Sequence, residues 1–399
     1  MRSAWRAGAA RLLAKHAKDA LVLEDADGAV SRSWNDPEAH LARGHVLYNR
    51  KDLKGALAEF EQAVALRPRD YFLWLYLGRA RDEAGDSKGA LTALREAVRL
   101  APHYSEPHWQ FGNALLRVGQ LERAFTQMRQ ATLADPTLLP VMIDLAWGFY
   151  GGDAAAVEQV VQPRTDSERI GLARLFVRKG KVAQAVALFR AAGKIKDEER
   201  LALLNELLSA KRFKEAYEVW ASGRTAEKIA ANNGVSSITD PGFEGRVDFT
   251  QTGFDWQLTR DLEGIHLSIG NSEPREGRYS LLLEWFGNAN PSSQAVRQLI
   301  LVEPNARYHL SFAVRTKEVV TGGLPILAVR DASSQDPRLL IESKAFPQGT
   351  SGWQEYAVEF KTAEDTVAII VSVQRQGCSS SPCPMFGKVW LDNLSLQKI

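Results

Sequence analysis

The chain has 399 residues, of which 45% are hydrophobic and 25% charged, with a formal net charge of +2. That length suffices for two or three domains, each with its own core, and the near-neutral balance excludes nucleic-acid binding through bulk charge. No apolar run reaches the ~18–20 residues of a bilayer-spanning helix.

The opening "MRSAWRAGAARLLAKHAKDALVL" is basic and helical. It has neither an uninterrupted apolar stretch nor a small-residue cleavage site, so it does not read as a signal peptide. "AWRAGAARLLAKHA" looks like the first helix of a repeat whose upstream residues are missing, and the expectation is that an export or membrane segment has been lost ahead of it.

A period of 34 then sets in. Gly44, Gly78 and Gly112 are 34 apart, as are Ala56, Ala90 and Ala124, Ala63, Ala97 and Ala131, and Pro68, Pro102 and Pro136. Small residues let two antiparallel helices approach closely, and each proline ends the second helix of a pair. The pattern resembles the tetratricopeptide repeat, with Trp74, Leu77, Gly78, Ala90, Ala97 and Pro102 in the second repeat and Phe60 in the aromatic place of the first. Clear repeats fall at 37–70, 71–104 and 105–138. Weaker ones flank them, with Trp34 where proline is expected and Ala185, Phe189, Ala192, Ala216 and Trp220 in second-helix places. An α-solenoid of helix-turn-helix repeats is predicted over 1–224.

In such arrays the first helix of each pair lines a concave groove. The resemblance places Leu41, His45, Tyr48 and Asn49 there, then Leu75, Arg79 and Asp82, then Trp109, Asn113 and Arg117. Tyr48, Asn49, Arg79, Trp109, Asn113 and Arg117 are the candidate contacts for a protein or peptide partner. Leu41 and His45 stand where relatives that clamp a carboxyl terminus need lysine and asparagine. A groove that only solvates the array is the competing reading.

After a linker at 225–237 the hydrophobic period changes to two. "RYSLLLEW", "RQLILV", "RYHLSFAVRT", "LPILAVRD", "RLLIES", "WQEYAVEF", "TVAIIVSVQR" and "KVWLDNLSL" are separated by Gly, Pro, Asn and Ser turns. Short strands without intervening helix predict an antiparallel jelly-roll β-sandwich over 238–399. Cys378 and Cys383, in "CSSSPCPMF", have no histidine nearby and no redox C-x-x-C spacing. They form either a small-loop disulfide or two free thiols. A disulfide favours an extracytoplasmic compartment, the periplasm or cell envelope, which the absence of a legible signal peptide opposes.

"TDPGFEG" at the start of the sandwich, "FDWQL" after it and "VWLDNLSL" at its end resemble carbohydrate-binding modules of families 4 and 9 and their galactose-binding-like relatives. In those modules a structural calcium ties the first strand to the last. The resemblance puts Glu244 and Asp392 in that role, and carboxylates suit an ion that takes six to eight oxygen ligands. Otherwise Glu244 is solvated and Asp392 caps a turn. Trp256 and Trp353, beside turns, are the candidates for stacking on a sugar. The other aromatics of the alternating strands read as core.

Histidines His266 and His309 lack any nucleophile context, and Glu284 and Asp331 read as structural carboxylates rather than a glycosidase pair. Walker, dinucleotide and H-E-x-x-H motifs are absent. The sequence reads as a non-catalytic scaffold, with repeats for a protein and a sandwich for a glycan. The combined resemblance implies bacterial envelope or exopolysaccharide assembly. The alternative is an accessory subunit whose sandwich is a protein-interaction domain.

Overall fold

The computed structural model describes residues 2–224, 237–245, 252–259, 262–291, 293–378 and 382–399, with side chains from residue 9 onward. Helices come first and two antiparallel sheets follow. Two compact units result, residues 1–164 and 165–399. They divide the chain earlier than the change of hydrophobic period does.

The first unit is a stack of helix pairs: α1 (Arg2–Ala20) with α2 (Leu23–Arg32), α3 (Pro37–Asn49) with α4 (Leu53–Leu66), α5 (Tyr71–Glu83) with α6 (Ser87–Leu100), α7 (Ser105–Arg117) with α8 (Leu121–Ala134), and α9 (Leu139–Phe149) with α10 (Ala154–Val161). The glycines at the 34-residue interval have a steric cause. A Cβ added at Gly44, Gly78 or Gly112 would lie 2.6, 2.6 or 2.8 Å from Phe60, Leu94 or Met128 respectively. Those three partners are themselves 34 apart, so each pair closes by pressing one large second-helix side chain onto bare first-helix backbone.

Further interactions repeat at the same interval. Asp36 and Asp70 cap the first helices by accepting from Glu38 N and Phe72 N, while Asp52 and Asp86 cap the second by accepting from Gly55 N and Gly89 N. Trp74 Nε1 donates to Pro68 O at 2.8 Å, and in the neighbouring repeats His40 Nε2 and His108 Nε2 lie 2.6 and 3.0 Å from Trp34 O and Pro102 O. One ring nitrogen per repeat therefore pins the turn six residues behind it. The residues before Pro68, Pro102 and Pro136 have left the helical region, with φ of −139°, −134° and −139°, in keeping with proline disfavouring helical backbone in its predecessor.

The second unit begins with α11 (Asp166–Arg178), α12 (Val182–Ala191), α13 (Asp197–Ser209) and α14 (Phe213–Ala221). Its strands are β1 (Gln257–Leu258), β2 (Ile265–Gly270), β3 (Ser280–Gly287), β4 (Val296–Leu301), β5 (Arg307–Thr321), β6 (Pro325–Asp331), β7 (Arg338–Glu342), β8 (Gly349–Lys361), β9 (Ala368–Arg375) and β10 (Met385–Lys398). One sheet has the order β1-β4-β9-β6-β7 and the other β2-β3-β10-β5-β8. Leu281, Leu283, Trp285, Val389 and Leu391 meet Val296, Ile300, Leu327, Val329, Ile369 and Val371 in a shared core. Helix α14 packs directly onto this sandwich. Phe254 contacts the rings of Tyr217 and Trp220 at 5.1 and 5.6 Å, and Asp255 accepts from Trp220 Nε1 at 3.2 Å and pairs with Arg224.

Candidate functional site

In the first unit α3, α5 and α7 bring the groove residues into register. His45, Arg79 and Asn113 occupy one repeat position, and Asn49, Glu83 and Arg117 another. Ion pairs cross between successive repeats. Lys51 Nζ meets Glu83 Oε1 at 2.6 Å, and Arg117 Nε meets Asp82 Oδ1 at 3.2 Å. Hydrogen bonds from Lys51 and then Tyr48 pull the Glu83 carboxyl below its ordinary range. Burial, followed by the bond to Glu83, raises the Tyr48 phenol. Tyr48–Glu83 and Asp82–Arg117 are thus one contact repeated a step along the array.

Those pairings occupy Arg117 and Tyr48. Asn49 turns back to donate to His45 O at 2.8 Å, while Trp109 and Asn113 are half-buried. Among the described residues Arg79 makes no ion pair; its guanidinium sits 5.9 Å from the Tyr76 ring. Beside it, His45 presents its ring edge-on to Tyr76 at 5.9 Å, and its buried Nδ1 has no hydrogen-bond partner. Burial, then the charges of Lys18 and Arg79, hold His45 below its ordinary pKa. The centre of the row is therefore a cation with an aromatic shelf and an unsatisfied polar nitrogen.

In the sandwich, Trp256 does not lie where the sequence reading placed it. It is 2% exposed, donates Nε1 to Asp240 O at 3.0 Å and packs on Phe243. It has no face for a sugar, because the turn before β1 folds inward over the core. Trp353 is half-buried on the edge strand β8, where the pairing with β5 shifts register. Aromatics that do face solvent include Phe286 and Phe386, 59% and 49% exposed, with Val320 at 60%, and separately Tyr279 at 39%. Phe386 is the cross-strand partner of both Phe286 and Val320. The three form a row across β3, β10 and β5, and the Glu284–Lys388 ion pair, 3.0 Å long, lies one step along the same face. The signal in the sequence was strand phase: Phe286 alternates out of step with Leu281, Leu283 and Trp285.

Asp392 and Glu244 converge. Asp392 is fully buried; Oδ2 accepts from Arg275 N at 2.9 Å and Oδ1 from Asn393 N at 2.7 Å. Glu244 Oε1 accepts from Arg278 N at 2.7 Å and Tyr279 N at 3.0 Å. Both carboxylates flank Gly242, from which an added Cβ would lie 3.6 Å from Asp392 Oδ1 and 3.7 Å from Glu244 Cγ. Burial first, with the charge of Glu244 adding to it, raises the Asp392 carboxyl against the three backbone N–H groups that lower it. Two like charges at one end of the sandwich suit a hard cation. No third acidic, histidine or cysteine side chain joins them among the described residues. Asn393 has φ +52° at an irregularity between Asp392 and Ser395 in the pairing with β5.

Cys378 and Cys383 are joined by a disulfide, with Cα atoms 5.7 Å apart. No helix among the described residues is long and apolar enough to cross a membrane.

The tetratricopeptide repeat family model matches residues 41–105. No curated protein matches the chain. Among solved structures, MamA (41-end) from Desulfovibrio magneticus RS-1 is 21% identical with a TM-score of 0.31, covering 47% of this chain and 92% of its own. YrrB, described as a TPR protein with an unusual peptide-binding site, is 20% identical with a TM-score of 0.30, over 54% of this chain and 90% of its own. A CBM4 structure is 10% identical with a TM-score of 0.31, over 41% of this chain and 100% of its own. The N-terminal helical region carries tetratricopeptide repeats, which makes protein interaction its coarse function.

Proposed function

We propose that the protein is a non-catalytic binding scaffold whose repeat groove takes an extended peptide segment with an acidic group on Arg79. The observation that supports this is that Arg79 makes no ion pair among the described residues: Arg117 and Lys51 have carboxylate partners at contact distance, and Arg79 has an aromatic shelf instead. A carboxylate or acidic side chain of a partner supplies the missing charge, and Trp109 and Asn113 lie one repeat further along for the neighbouring residues. Peptide display against the full chain tests this. Enrichment of acidic peptides, lost in Arg79→Glu and kept in Lys51→Ala, is the expected result; selection indifferent to Arg79→Glu counts against it.

The sandwich is the glycan-binding half of this reading, on the face of Phe286 and Phe386 rather than at Trp256. Exposed aromatic rings stack on the apolar faces of pyranoses, and Glu284 and Lys388 beside them can take hydroxyls. Binding on a glycan array that disappears in Phe286→Ala/Phe386→Ala is expected. No glycan binding, with the same patch capturing a protein, supports the accessory-subunit alternative. Glu244 and Asp392 would hold a structural calcium between the first and last segments of the sandwich. Glu244→Gln separates this from simple hydrogen bonding, since its amide oxygen keeps the two N–H bonds while the charge is lost. Calcium at a hundredfold above its dissociation constant should stabilise the native chain by about 2.7 kcal/mol, and Glu244→Gln should not respond. Equal melting temperatures in chelator and calcium for the native chain remove the metal.

A further inference from the structure

Arg375, the last residue of β9, is buried, and its guanidinium meets only neutral groups among the described residues. Nε donates to Gly323 O at 3.2 Å and Nη1 to Ala289 O at 3.0 Å. Nη2 donates to Thr321 Oγ1 at 2.8 Å, Cys383 O at 3.0 Å and Pro384 O at 3.5 Å, and stands 3.1 Å from Cys383 Sγ. A buried cation without an anion is costly, and burial lowers its pKa. Among the described residues, the neighbour that becomes an anion on reduction is the sulfur of Cys383. As half of a disulfide it is neutral; as a thiolate it would complete a hydrogen-bonded ion pair with Nη2. Both cysteines are half-buried.

We infer that Arg375 and the Cys378–Cys383 bridge form a thiol-exchange site in which Cys383 is the leaving group. A low-molecular-weight monothiol, as its thiolate, attacks Cys378 Sγ and forms a new S–S bond there. The Cys378–Cys383 bond breaks, and its electron pair remains on Cys383 Sγ, facing the guanidinium. A second monothiol thiolate attacks the external sulfur of the mixed disulfide, releasing the external disulfide and Cys378 as a thiolate that takes a proton from water. Two electrons thus pass from two monothiols to the bridge. The direction follows from leaving-group ability, since the sulfur whose thiolate is better stabilised departs faster. The adduct therefore accumulates on Cys378.

The test uses the full chain and glutathione. After brief exchange and acid quench, peptide mass spectrometry should find glutathione on Cys378 and a free, alkylatable Cys383. In Cys378→Ser, alkylation of Cys383 should show a pH midpoint at least about one unit below the ~8.5 of an ordinary thiol, and Cys378→Ser/Arg375→Gln should return it to that range. Glutathione on Cys383, or equally on both sulfurs, overturns the inference, as does an ordinary midpoint in Cys378→Ser. The first readout needs no substitution, so instability of an Arg375 variant leaves the test intact.

Discussion

Two glycines in the repeats have opposite reasons to be glycine. Gly78 lies against Leu94, and an added Cβ would come within 2.6 Å of Cγ, whereas a Cβ at Gly148 in α9 would meet nothing within 4 Å. Gly78→Ala should destabilise the helical part by about 1–3 kcal/mol, the usual cost of overpacking. Gly148→Ala should stabilise it by roughly 0.5–1 kcal/mol through helix propensity alone. Urea unfolding followed by far-UV circular dichroism checks both, and equal effects would mean that contact with Leu94 is not what selects the glycine. At this scale the sequence was legible where a steric rule repeats. It was misleading at Trp256, because a tryptophan beside a turn gives no sign of which way the turn folds.

Among the elements, the α3–α4 pair carries a charged lock. His40 Nδ1 lies 2.7 Å from Glu59 Oε2, and Arg43 Nη1 reaches the other oxygen at 2.7 Å. The bond to Glu59 is the main cause that raises the His40 pKa, with burial opposing it. Burial works against ionised Glu59, yet the bond from His40 and the charge of Arg43 bring its pKa below the ordinary value. His40 therefore contributes stability fully below its unfolded pKa of about 6.5 and loses it as pH rises through the raised folded value. Glu59 contributes above its unfolded pKa of about 4.3 and loses that as pH falls through the lowered folded value. The lock is strongest between those limits. His40→Gln should flatten the fall in stability of the helical transition above about pH 6.5, measured by denaturant midpoints across a pH series; an unchanged slope would assign it elsewhere. The strands and helices were readable from period, but this lock was not. His40 and Glu59 are 19 residues apart on different helices, and only the packing angle brings them together.

For the whole molecule, the last described helix, α14, ends at Ala221 and the first described strand, β1, begins at Gln257, and α14 is fastened to the sandwich through Phe254 and Asp255. Lys211, in the turn before α14, also donates to Ala332 O at 3.1 Å. Residues 238–399 alone would expose Phe254 and leave Asp255 without Trp220 and Arg224. We expect that fragment to be less stable than 165–399 by about 2 kcal/mol, the scale of one uncovered aromatic side chain. Calorimetry of the two fragments decides it, and matching transitions would show that the helices add nothing to the sandwich. The fold class was legible because two hydrophobic periods cannot be confused over such lengths. The fastening was not, since it rests on single residues on either side of a boundary.

The contact that recurs as Tyr48–Glu83 and Asp82–Arg117 also bears on which repeats can dock on which. If 71–104 were skipped, as when a folding chain docks the wrong neighbours, Arg117 would take the place of Glu83. It would then face Lys51, a cation against a cation, where the native stack has an ion pair. Stacks of near-identical repeats risk such out-of-order docking. Here the skipped partner is repulsive at Lys51, so side chains that contribute little to the core disfavour that docking.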